Sequence, residues 1–150
     1  MNLSPSFTLD EFLVSQTAAR HDISMAPSQY VIDNLTRLCE TILQPLRDDL
    51  GVPIVITSGW RPEELNRLIG GSETSQHIHG EAADIRAVGK KPAEVVTRIQ
   101  YLDLTYHQLI HEFGQWTHVS VPPQGIRPKR ETLTALKEGG RTVYKAGLVA

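Results

Sequence analysis

The chain carries a single cysteine, Cys39, in 150 residues. One cysteine excludes an internal disulfide and any zinc site built on a cysteine cluster. It falls near the apolar face of a helical pattern and reads as a small buried hydrophobe. Long hydrophobic runs are missing too: none approaches the roughly 20 residues that span a bilayer. Met1-Asn2-Leu3-Ser4-Pro5 has neither the basic nor the apolar region of a signal peptide. The expectation is therefore synthesis in a cytoplasm, with action elsewhere requiring release by a separate route. Charge of one sign is also absent, because 15 basic and 17 acidic residues leave a formal net charge of -2. No basic stripe marks a nucleic-acid partner, and no Lys/Arg cluster would hold the chain on an anionic membrane. Repeats, low-complexity tracts and inter-domain linkers do not occur.

What is present is 40% hydrophobic and 21% charged sequence, a globular balance. The length suits one domain over residues 1–150, which buries about 68–70% of its unfolded surface. Thr8-Leu9-Asp10-Glu11 fits a capping box opening a helix to about Thr17. Ser28 fits an N-cap, followed by Val31, Leu35, Leu38, Ile42 and Leu46 on one helical face, with Pro45 as a kink. Val52–Thr57 reads as a buried strand, and Pro62 as the first position of a helix ending at Gly70-Gly71. Ala82–Val88 reads as a strand and Pro92–Leu102 as an amphipathic helix. Gln108–Phe113 and Trp116–Val121 read as a hairpin across Gly114-Gln115. The motif-bearing part spans about residues 3–121. The polar stretch over 122–150 has one possible strand at Thr142–Lys145 and no assigned role. Helices and strands mix without a βαβ rhythm, which gives an α+β class.

The six histidines concentrate the chemistry. Imidazole and carboxylate are the ligands that suit Zn²⁺ where thiolates are lacking. Alternation along a strand puts Asp84 on the face of Ala82 and Arg86, away from Ala83 and Ile85. It likewise puts His118 opposite the apolar pair Val119 and Val121. Two strands would each present one ligand outward, and the loop before the first would add His77. The alternatives are ordinary: a strand-edge histidine is commonly a hydrogen-bonded surface residue, and Asp84 could cap the strand or pair with Arg86. Spacing alone leaves both readings open.

The run Ser75-x-His77-x-x-Gly80-x-Ala82-x-Asp84 resembles, at every fixed position, the SxHxxGxAxD signature of the zinc D-Ala-D-Ala carboxypeptidase family of peptidoglycan metallopeptidases. Thr57-Ser58-Gly59-Trp60-Arg61 is similar to that family's SGYR-type segment, and Trp116-Thr117-His118 to its WxH element. The opening Phe7–Phe12 is similar to the start of small single-domain members, many encoded by phages or prophages. The resemblance implies a small antiparallel sheet with helices packed on one side, related to the hedgehog domain. It implies His77, Asp84 and His118 as ligands of Zn²⁺, Arg61 as a catalytic and substrate-binding residue, and Ser75 as a substrate contact. The plainer role for Arg61 is pairing with Glu63 or Glu64.

Many members carry the base glutamate three residues before the last histidine, where this chain has Gln115. Small members share an LIxE…WxH layout, which points to Glu112 as the base. His79, His107 and His111 have no slot in the motif, and His111 shares a strand face with Leu109 and Phe113. The implied activity is hydrolysis of peptidoglycan stem peptides by a monomer acting at the cell wall, in phage or prophage lysis. Cleavage between L-Ala and D-Glu is favoured over D-Ala-D-Ala carboxypeptidase action. The alternatives are a non-catalytic zinc-stabilised binding module, supported by Gln115, and a phage structural protein with vestigial ligands.

Overall fold

The structure, a computed structural model, describes residues 1–149. The chain opens with a short hairpin of β1 (Asn2–Ser4) and β2 (Phe7–Thr8). The capping box at Thr8 forms, with Thr8 N–H donating to the Glu11 carboxylate at 2.7 Å, but it opens only a 3₁₀ turn over Leu9–Phe12. A separate helix, α1 (Gln16–Arg20), begins at its own cap, Ser15. The single helix expected to run to Thr17 is thus two pieces.

Ser28 caps α2 (Gln29–Leu38), accepting from Val31 N–H. A π turn over Cys39–Leu43 joins it to α3 (Gln44–Leu50). Pro45 has no N–H to donate back, so the regular ladder cannot run through this point, and the widened turn lies just before it. Val31, Leu35, Leu38, Ile42 and Leu46 are all buried on one side. Each such side chain contributes about 1.5–3 kcal/mol by leaving water. Cys39 is fully buried among them, and burial pushes its thiol pKa up to about 12.

The main sheet contains β3 (Ile54–Ser58), β4 (Ala82–Ala87), β5 (Gln108–Glu112), β6 (Trp116–Ser120), β7 (Glu131–Glu138) and β8 (Arg141–Ala146). Helix α4 (Glu63–Leu68) precedes the polar loop, and α5 (Pro92–Tyr101) follows β4. The spatial order is β3-β4-β6-β5-β7-β8, antiparallel except for the parallel pair β5 and β7. The α+β class and the largely antiparallel sheet agree with the sequence reading. Two details differ. The strand expected to be buried, β3, is an edge strand with Val55 half exposed. The polar stretch after Pro123 supplies two strands, extending the sheet beyond β5.

Alternation divides the sheet faces. Ala83, Ile85, Leu109 and Val119 join Leu35, Leu38, Val95, Val96 and Ile99 in one hydrophobic cluster. That face is covered by α2 and α5. The other face carries the polar residues.

Candidate metal centre and the groove around it

The register of the sheet aligns the opposite face in rows. Asp84 pairs with His118, His118 with Ile110, and Ile110 with Leu133, so these side chains share one surface. His77 reaches the same place from a 3₁₀ turn, Gln76–His79, that precedes β4. Ser75 caps this turn and Gly80 closes it in the left-handed region at φ 73°.

The SGWR and SxHxxG segments hold each other in place. Arg61 N–H donates to His77 O at 3.0 Å, and the Trp60 indole donates to Ile78 O at 2.9 Å. Gly59 O accepts from His77 Nδ1 at 2.7 Å. Gly59 itself lies against the backbone of Phe12, where a Cβ would come within 2.6 Å of Cα and O. Only glycine permits that approach. The two motifs are thus one structural unit, although 14 residues separate Arg61 from Ser75 in sequence.

His77, Asp84 and His118 bring their ligand-type atoms within 4.8 Å of one another. Asp84 Oδ1 lies 3.4 Å from His77 Nε2 and 3.1 Å from His118 Nδ1. With its Nδ1–H given to Gly59 O, His77 presents the Nε2 lone pair to a carboxylate oxygen. Two acceptors facing at that distance need a positive charge between them, a proton or a metal. Burial disfavours the proton: it is the leading cause that pushes the His77 pKa down, outweighing the Asp84 carboxylate. Burial would raise the Asp84 pKa, but the two imidazoles beside it, His118 first and then His77, hold it well below the usual carboxylate range. The other ring nitrogen of His118 lies 3.4 Å from Gln76 Oε1. Each imidazole therefore has an oxygen acceptor behind it, the arrangement that fixes ring orientation around a metal. Two imidazoles and one carboxylate fit a divalent ion of the zinc type, with room for a further ligand.

The cluster opens into a groove of about 540 Å³ that Arg61, Ser75, Glu112 and Trp116 also line. Arg61 forms no ion pair with Glu63 or Glu64; its Nη2 lies 3.4 Å from Ser75 Oγ. Arg61 Nε and Trp116 Nε1 are buried donors without a partner among the described residues. Glu112 pairs across the sheet with Trp116, two residues before His118. It is therefore the diagonal neighbour of His118, at a typical backbone separation of about 7–8 Å. Burial raises its pKa, and the Asp84 charge adds to that, against His118 and Arg61. Gln115 lies elsewhere, with Ala87, Lys90 and Pro92 near the start of α5. The turn accounts for the two positions. It is one residue longer than expected, Phe113-Gly114-Gln115, with Phe113 at φ 54° and Gly114 at φ 66°. Glu112 stays in the ladder on the groove face while Gln115 leaves it.

The remaining histidines stand apart from the cluster. His79 lies 3.4 Å from the Tyr30 hydroxyl, His107 accepts from Lys129 N–H, and His111 is half buried opposite Thr117. Sequence reasoning missed Gln76, whose position in the motif is variable, and the groove residues Lys137, Thr142 and Tyr144 from β7 and β8.

Comparison with known proteins agrees with this arrangement. The family model for Peptidase M15 matches residues 5–120, leaving β7 and β8 outside the match. No curated protein matches the chain. The matched span includes both cross-linked motifs, the His-Asp-His cluster and Glu112, and the chain belongs to the Peptidase M15 family of metallopeptidases.

Proposed function

We propose that this chain is a zinc peptidase of the bacterial cell wall, hydrolysing peptide bonds in peptidoglycan stem peptides. The observation that carries the reading is the convergence of His77, Asp84 and His118 with Glu112 and Arg61 in one groove. His77 Nε2, His118 Nδ1 and Asp84 Oδ1 are the atoms that would hold the ion. A bound zinc ion supplies Lewis acidity, lowering the pKa of water and polarising the scissile carbonyl.

The protein groups account for the rest. Glu112 takes the proton of the attacking water and returns it to the leaving amine. Its raised pKa suits a group that must both accept and release a proton. The Arg61 guanidinium, a rigid fork of donors, binds the substrate carbonyl or carboxylate and opposes the charge that develops on oxygen. Ser75 orients Arg61 and contacts the substrate main chain.

The groove continues on both sides of the cluster, from Gly70–Ser75 to β8. A cluster placed in mid-groove supports cleavage within a chain, here between L-Ala and D-Glu, over removal of a terminal D-Ala. The similarity of Phe7–Phe12 to phage-type members supports a role in phage or prophage lysis. Incubating the zinc-loaded protein with purified peptidoglycan, with and without a chelator, tests the reading by mass spectrometry. New amino termini at D-Glu are expected. Released D-Ala would reassign the bond, and no chelator-sensitive product on several wall types would leave a zinc-binding module.

A further inference from the structure

The hairpin of β7 and β8 forms a wall of the groove from outside the family match. Its register fixes which residues face inward. Glu112 pairs with Ala135 and Ala135 with Tyr144, while Lys137 pairs with Thr142 one step further along. Ala135 is fully buried and small, so the row beside Glu112 is left open for the Tyr144 ring. Burial and the nearby Glu112 carboxylate both raise the Tyr144 pKa.

Lys137 is held at the groove's edge. Its ammonium donates to Thr142 Oγ1 at 2.9 Å and lies 5.4 Å from the centre of the Phe113 ring. Among the described residues it forms no ion pair, whereas Lys145 of the same hairpin is neutralised by Glu138 at 3.2 Å. Of the groove's two acids, Asp84 lies between two imidazoles and Glu112 is half buried, and neither forms an ion pair with Lys137. An exposed cation tethered to Thr142, with no acidic partner among the described residues and at the edge of a peptide groove, is a ready site for a carboxylate.

We propose that this hairpin is the specificity wall of the groove and that Lys137 binds a free carboxylate of the substrate, beyond Glu112 from the His-Asp-His cluster. The choice of ligand rests on the stem-peptide reading above. A lysine-type stem pentapeptide offers two such groups, the α-carboxylate of a γ-linked D-Glu and the carboxylate of the terminal D-Ala.

The test uses zinc-loaded protein carrying Glu112→Gln to block turnover, titrated with L-Ala-γ-D-Glu-L-Lys-D-Ala-D-Ala. Two further peptides carry an amide in place of one or the other carboxylate. One amidated peptide is expected to bind about tenfold more weakly, the scale of a hydrogen bond to a charged group, and its identity shows which carboxylate is read. Lys137→Met should abolish that preference and Lys137→Arg should keep it. If the Met variant does not fold, Lys137→Gln is judged by the same criterion. Preference retained without the lysine, or no preference in its presence, overturns the proposal. Cleavage is measured separately on the unsubstituted chain. Its absence there would refute the peptidase reading while leaving the carboxylate preference intact.

Discussion

Substituting Gly80 with alanine probes how the His77 turn is seated. Gly80 sits at φ 73°, where an L side chain costs about 1–2 kcal/mol. Its Cβ would meet Val31 O at 2.8 Å, Val31 Cγ1 at 3.0 Å and Leu35 Cγ at 3.3 Å. The carbonyl belongs to α2, whose Val31 and Leu35 are buried against the sheet, so the helix cannot retreat. Overpacking of this kind costs about 1–3 kcal/mol. The two contributions together give about 2–5 kcal/mol, or a fall of roughly 4–20 °C in Tm for a domain of this length. The turn has to yield, and His77 moves with it. It also strains the 2.8 Å hydrogen bond from Asn34 Nδ2 to His79 O. Thermal melting of the metal-free chain measures the first effect, and zinc titration against a competing chelator the second. A variant within 1 kcal/mol of the parent, with unchanged zinc affinity, would refute this account of the turn.

Two further outcomes follow from the cluster. His77→Ala removes one of three protein ligands and should leave no stoichiometric zinc after dialysis, read by metal analysis; full occupancy would contradict the ligand set. The metal-free chain should lose stability as pH falls below about 6.5, because the unfolded His77 takes up a proton that its buried site resists. The Asp84 carboxyl, held low in the folded state, contributes stability above its unfolded pKa of 3.8 and loses it at more acid pH. Melting curves between pH 8 and pH 3 check both, and a stability that rises as pH drops through 6.5 would contradict the His77 assignment.

The sheet's groove face was legible where alternation is strict. Asp84 between Ala83 and Ile85, and His118 beside Val119, can face only one way once the apolar neighbours are buried. The resemblance points to Glu112 although Gln115 stands in the usual slot, and the extra turn residue leaves Glu112, not Gln115, on the groove face. Other features left no local signal. The Ala135-Leu136-Lys137-Glu138 end of β7 consists of residues that favour helix, and pairing with β8 overrides that preference. The strands β1 and β2 are too short to show a period. The partnership of Gly59 with Phe12 and His77 joins three distant segments, which spacing along the chain does not reveal.

In the proposed reaction His77, Asp84 and His118 hold zinc while Glu112 moves the proton. Glu112→Gln, compared with the unsubstituted chain for zinc content and for cleavage of purified peptidoglycan, separates the two roles. One zinc per chain in both, with turnover abolished only in the variant, is the predicted result. An active Glu112→Gln protein, or one that no longer binds zinc, would contradict it.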